Sequence, residues 1–190
     1  MAIRKIAQMG HPVLRKRGRE LSAEEIQSEP IQRLIDDMLD TMHEYGGLGL
    51  AAPQVHESLQ LAIIEFGDDN GRYPDMGDQP LLVIINPKVT VLSTEEQGFW
   101  EGCLSVPDLR GLVYRPEKIE VEFLDREGKA RKIVAEDFLA TVFQHELDHL
   151  EGVLYVDRIR NEPGKTPIAF LEEYRKYLVP EQEEDSDLEV

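Results

Sequence analysis

The sequence predicts an α+β domain, with mixed or antiparallel β-sheets packed around a central buried helix. Three observations carry that prediction. A helix pattern near the N-terminus has an apolar stripe with polar flanks, so it lies against a core. Five extended segments rich in Val, Ile and Phe occupy the middle of the chain and are parted by turn residues. A second helix pattern follows them, apolar around most of its circumference, and such a helix must be covered on nearly every side.

Taken in order, Ser22 and Glu25 read as a capping box. Beyond them Ile31, Leu34, Ile35, Met38, Leu39 and Met42 keep helical spacing, and Gly46–Gly47 stop the helix. The stripe reads as core-facing rather than as a membrane or partner surface. The extended segments are "LAIIEF" (61–66), "LLVIINPKVTVLS" (81–93), "GFWEGCLSV" (98–106), "KIEVEFLD" (118–125) and "ARKIVA" (130–135). The last two are joined by "REGK", a hairpin-like turn. The buried helix spans about 136–150, carries Phe138, Leu139, Val142, Phe143, Leu147 and Leu150, and stops at Gly152. A shorter third helix is expected over 168–178. No repeat or Gly/Ser linker interrupts the pattern, so residues 1–178 are expected to form one domain. Residues 67–80 read as an insertion, and 179–190 as an acidic, disordered tail.

Composition narrows the function classes. A net charge of −17 argues against a nucleic-acid binder, because phosphate contacts need a basic surface. Six acids lie in the last ten residues, but what remains is still acidic. Arg175 and Lys176 form the one basic cluster near the C-terminus, and they read as a solvated helix face. "MAIRKIAQMGHP" lacks the apolar region of a secretory signal, and the longest apolar run, 81–85, is too short to span a bilayer. Cys103 is the single cysteine, which excludes an internal disulfide and fits a reducing cytoplasm.

The buried helix carries "QHELDH" (144–149). His145 and His149, four residues apart, share a face, while Glu146 lies roughly 100° around the axis. Two imidazoles converging on one point suit a borderline divalent cation, and a neighbouring carboxylate can manage the protons of a bound water. Buried imidazoles also need a partner. The pair supplies only two ligands. Glu151, Asp157, Glu172 and Glu173 lie downstream as acids, and Glu151 is too close in sequence to close the site. Upstream, "EGCLS" (101–105) offers the thiolate of Cys103, with Gly102 allowing close backbone approach. "GGLGLAAPQ" (46–54) lacks phosphate-loop spacing. It reads as a small-residue turn or as a bare edge at Leu48 and Gly49 against which a peptide could pair, with Gln54 as an amide donor. Three classes fit so far: a hydrolase using Cys103, a zinc peptidase taking a downstream acid, and a protein with a closed structural metal.

Gly47 to Gln54, Glu101 to Ser105 and Gln144 to His149 together resemble the three signature motifs of peptide deformylases, in that family's order, within a similarity running from about residue 9 to 159. The resemblance implies removal of the formyl group from formyl-methionine on nascent polypeptides. It implies Cys103, His145 and His149 as ligands of one Fe²⁺, with Zn²⁺ or Ni²⁺ as replacements, and Glu146 as the proton carrier. It also implies that the Gln54 amide and the Leu104 backbone N–H hold the oxyanion. Leu48, Leu104 and Val142 are candidate walls for the methionine side chain. Arg110 is a candidate peptide contact or a surface ion pair, and Glu101 and Asp148 are candidate acceptors that fix imidazole tautomers. Nascent N-termini, and the ribosome near its exit tunnel, are the partners such an enzyme would meet. No direct nucleic-acid or membrane contact is expected.

Overall fold

The computed structural model describes residues 2–67, 79–161, 163 and 167–177. Most of the insertion at 67–80, the end of the helix expected to reach 178 and the tail at 179–190 lie outside the described residues.

The described residues form two antiparallel sheets and four α-helices, with three short 3-10 turns. The larger sheet orders its strands β1-β2-β3-β6-β7, where β1 is Gly49–Ala51, β2 Leu61–Phe66, β3 Gln79–Val91, β6 Lys118–Leu124 and β7 Ala130–Glu136. The smaller sheet is β4-β5-β8, with β4 Glu96–Cys103, β5 Val106–Pro116 and β8 Ile168–Phe170. The expected α+β architecture is present. The strand "LAIIEF" is apolar at nearly every position because both faces of the large sheet are covered. Leu61 and Ile63 face α2 (Glu29–Glu44) with Ile35, Met38 and Met42, while Ala62 and Ile64 face α3 (Asp137–Leu150) with Phe138, Phe143 and Leu147. Each fully buried Ile or Leu in these layers contributes roughly 1.5–3 kcal/mol of transfer free energy.

Several elements differ from the sequence-based expectation. Ser22 and Glu25 do form a capping box, but it closes a separate turn, α1 (Ala23–Ile26). Extended Ser28 (ψ 144°) separates the two, and Pro30 then sits in the first turn of α2, where its missing N–H costs nothing. The segment expected at 98–106 is β4 plus a turn at Leu104–Ser105, after which the chain runs back as β5, a strand the sequence did not announce. The helix expected over 168–178 begins as β8, and only Leu171–Tyr177 is helical, as α4. The stops at Gly46 and Gly152 are real. Both have positive φ, +63° and +75°, which glycine adopts without steric cost.

The candidate metal centre

The site lies where the β4–β5 hairpin meets α3. Cys103 is the last residue of β4, and the turn behind it is held by the N-terminal segment. Ala7 N–H donates to the Gln54 carbonyl and Met9 N–H to the Ser105 carbonyl, both at 2.7 Å. These bonds tie the first and second sequence motifs to one N-terminal strap and so to each other. The sulfur of Cys103 is 3.3 Å from Nε2 of His149, and the donor atoms of Cys103, His145 and His149 all lie within 4.8 Å of one another. The two imidazoles stand edge-on, with centroids 5.1 Å apart and planes at 79°. All three residues are buried.

The electrostatics suit a cation. Burial raises the Cys103 pKa, but His149 and His145 outweigh it and hold the thiol well below its ordinary value. Burial pushes His145 down, and Cys103 and Glu101 more than reverse that. The pocket therefore favours a thiolate with a positive charge beside it; a divalent cation would take the place of the His145 proton there, leaving the sulfur and two imidazole nitrogens that a borderline metal takes. Nδ1 of His145 is bonded to Glu101 Oε2 at 2.7 Å, leaving Nε2 as the donor on the sulfur side. Nδ1 of His149 is buried with no hydrogen-bond partner.

Glu101 is itself fixed by Arg115, through Nε at 2.5 Å and Nη2 at 3.0 Å. Arg115 also donates to Asp148 at 2.8 Å, and Arg158 holds Asp148 from outside at 2.7 Å. Burial raises Glu101, yet its bonds to His145 and Arg115 bring its pKa down to about 2. Of the two acids expected to orient imidazoles, Glu101 does so. Asp148 does not: its side chain pairs with Arg115 and Arg158, because its place on α3 faces the arginines of β5 and of the 155–158 turn.

Glu146 sits beside the donors with its carboxylate against Gly49. A Cβ added at Gly49 would lie 2.6 Å from Glu146 Cγ, Cδ and Oε1, so this strand position has no room for a side chain. Burial pushes the Glu146 pKa up to about 7, opposed by His145 and His149, and its Oε2 has no hydrogen-bond partner. Gln54 is held in one orientation, with Ala51 N–H donating to its Oε1 at 2.8 Å. Its Nε2 is thereby turned to the Cys103 sulfur (3.4 Å) and the Ser105 hydroxyl (3.3 Å).

A cavity of about 550 Å³ opens in front of these groups and is lined by Leu48, Gly49, Gly102, Leu104, Arg110 and Val142, among others. β1 and β4 are both sheet-edge strands, so each presents a backbone edge there. Gly102 lies beneath the Arg110 guanidinium, and a Cβ there would push that side chain aside. Arg110 also donates to the Leu109 carbonyl at 2.8 Å. The downstream acids do not join the cluster; Glu151 pairs with Arg17 and Asp157 with Arg15. Arg115, Trp100 and Leu171, which also belong to this neighbourhood, went unread in the sequence. Arg115 reaches it through the β4–β5 pairing and Leu171 through the β5–β8 pairing, which no local pattern signals, while Trp100 sits on β4 three residues before Cys103.

An α+β domain that sets a thiolate, two imidazoles of an H-E-x-x-H helix and a buried carboxylate at the head of a peptide-sized cleft defines the class of metallohydrolases acting on amides. Comparison with known proteins narrows it. Residues 3–164 match the profile of the family described as polypeptide deformylase. A peptide deformylase of Leptospira biflexa is 46% identical over 161 residues, covering 85% of this chain and 90% of that one. Peptide deformylase 2 of a Nostoc species is 46% identical over 156 residues, 82% of this chain and 86% of that one. Among solved structures, a Met-Ala-Ser-bound class I type b peptide deformylase from Acinetobacter baumannii superposes with a TM-score of 0.79 at 39% identity, covering 84% of this chain and all of that one. The chain belongs to the polypeptide deformylase family. It is a metal-dependent hydrolase that removes the N-formyl group from N-terminal formyl-methionine of new polypeptides and releases formate. Among the described residues, no helix is long and apolar enough to cross a membrane.

Proposed function

We propose that Cys103, His145 and His149 hold the metal, that Glu146 carries the proton, and that Gln54 with the Leu104 backbone N–H stabilises the oxyanion. The observation that carries this reading is the convergence of the three donors beside a buried carboxylate that lacks a partner for one oxygen. A divalent cation held by Cys103, His145 and His149 would supply Lewis acidity, lowering the pKa of a water at the site towards neutrality. The chain's own groups do the rest. Glu146, raised to about 7, is matched to accept a proton from the attacking water and return it to the departing amine, so that formamide and water become formate and a free N-terminus. Gln54, its amide fixed by Ala51, donates to the oxygen on which charge develops. Glu101 and Arg115 keep His145 in the tautomer that leaves Nε2 free to bind.

The methionine side chain enters the apolar part of the cavity between Leu48, Leu104 and Val142, and the peptide backbone pairs with the open edge at Leu48–Gly49, with Arg110 at the side. The Acinetobacter relative binds Met-Ala-Ser, and we assign this chain the same ligand class. Fe²⁺ is the metal we assign, from the family resemblance, with Zn²⁺ or Ni²⁺ as replacements that the same soft-and-borderline donor set accepts. Residues 1–178 act as one catalytic domain in the cytoplasm, meeting nascent chains near the ribosomal exit tunnel.

The test is formate release from formyl-Met peptides together with metal content, in wild type and Cys103→Ser. A serine hydroxyl is not deprotonated near neutral pH and is a harder donor, so the variant should lose its metal and its turnover together. Full metal occupancy and full turnover in Cys103→Ser would place the third ligand elsewhere.

A further inference from the structure

The family match ends at residue 164, yet the described chain returns to the cavity beyond it. β8 pairs with β5 in the register Ile168–Gly111, Ala169–Arg110 and Phe170–Leu109, and Leu112 N–H donates to the Pro167 carbonyl at 2.8 Å. That register runs towards the Cys103 end of the β4–β5 hairpin. The first residue past it, Leu171, consequently lines the same cavity as Cys103, Glu146 and Arg110. One turn along α4, Tyr174 packs its ring on Trp100, with centroids 5.3 Å apart. Trp100 also lines the cavity and lies three residues before Cys103 on β4.

Distance decides which part of a substrate this wall meets. Three residues of strand span about 10 Å. A formyl-peptide with its reacting carbon at Cys103, lying between the Leu48–Gly49 edge and the open edge of β4 and running back along β4, reaches Trp100 with its second to third residue. The wall there is apolar on the Leu171 and Trp100 sides.

On the reading that formyl-peptides occupy this cleft, we infer that Leu171 and Trp100, the two cavity-lining residues that the β8–β5 pairing brings together, form a specificity wall. Leu171, with Trp100 held in place by Tyr174, contacts the side chain two residues beyond the formyl-methionine and favours an apolar residue there. The substrate class is formyl-methionyl peptides of three residues or more with an apolar third side chain.

The experiment compares kcat/KM for formyl-Met-Ala-Leu with that for formyl-Met-Ala-Asp, in wild type, Leu171→Ala and Phe170→Ser. The ratio of the two is internal to each enzyme preparation, so it does not depend on the fraction folded or metal-loaded. Wild type should prefer the leucine peptide by at least about fivefold, the scale of one partly buried apolar contact. Leu171→Ala should bring the ratio to about twofold or less. Phe170 is 67% exposed in the same segment, and Phe170→Ser should keep the wild-type ratio. A wild-type ratio near one, an unchanged ratio in Leu171→Ala, or an equal fall in Phe170→Ser would overturn the wall. Absence of formate release from both peptides by metal-loaded wild type would instead strike at the deformylase site itself.

Discussion

The helices α2 and α3 are close in length, 16 and 14 residues, and pack on opposite faces of the same sheet, yet they obey different rules. α2 is amphipathic. Arg33 and Glu29 stand in solvent, and its buried polar side chains Asp37 and Thr41 bind the N-terminal segment, Asp37 through Arg4 at 3.1 Å and Thr41 through the Arg4 N–H at 2.8 Å. α3 has no comparable wet face, so its polar residues must be answered from within. Gln144 donates to the Pro116 carbonyl, His145 meets Glu101, and Asp148 meets Arg115. The atoms left unanswered on α3 are Glu146 Oε2 and His149 Nδ1, both at the catalytic end. Asp40 on α2 also keeps one oxygen without a partner, but among the described residues it belongs to no cluster of candidate metal ligands. An unpartnered polar atom therefore marks chemistry only where other reactive groups converge on it. Burial also makes the polar residues of α3 far more consequential than those of α2, and substitutions can test that contrast directly.

The largest effect should come from Glu146→Gln. The side chain keeps its shape against Gly49 but loses the group that accepts the proton, so kcat should fall by about 10²–10⁴, the range for removing a positioned acid–base. Metal content should stay at the wild-type value, because the three donors are untouched. Stopped assays of formate release alongside metal analysis check both halves. Loss of metal with activity would make Glu146 a ligand and not a proton carrier.

Arg115→Met should come next, and it acts through stability. Arg115 is 4% exposed and answers both Glu101 and Asp148; removing it strands buried carboxylates, at a cost of about 3–5 kcal/mol. The pH dependence gives a second readout. Glu101 sits at about 2 when folded against an ordinary 4.5, so its pairing contributes stability that is complete above about 4.5 and is lost as pH falls towards 2. In Arg115→Met that carboxyl titrates higher, and the acid limb of the stability curve should begin at higher pH than in wild type. Chelated protein should be used for both, so that metal loss does not enter. An unchanged acid limb would show that Arg115 does not set the ionisation of Glu101.

The parts of this contrast that the sequence disclosed are those with local periodicity. The stripe of α2, the all-round apolarity of α3, the double-sided strand "LAIIEF" and the three motifs were legible because each is a pattern within a few turns or a few residues. β5 was not, because Pro107, Gly111 and Pro116 punctuate "VPDLRGLVYRP" like a loop; Gly111 is a glycine because a Cβ there would lie 2.5 Å from Ile159 Cδ1. "IAFLEEYRKY" looks helical throughout, and only pairing with β5 extends its first three residues. Arg115 and Leu171 act through contacts dozens of residues away in the chain. Nothing near either residue advertises its partners.

The smallest effect belongs to the exposed face of α2. Arg33 pairs with Glu29 one turn before it, and the two side chains are 66% and 79% exposed, so solvent screens the pair and side-chain entropy opposes it. Arg33→Ala should change stability by about 0.5 kcal/mol or less, which for a domain of this size is a shift in Tm of about 2 °C or less. Metal content and kcat should match wild type. Met38 lies five residues further along the same helix but is fully buried, and Met38→Ala should cost about 2–5 kcal/mol through the cavity it leaves. The two variants together separate burial from position on the helix. A large loss in Arg33→Ala, or a change in metal occupancy in either variant at a temperature where it remains folded, would mean that α2 is coupled to the metal centre through the sheet. The contrast between a supporting helix and a reacting one would then fail.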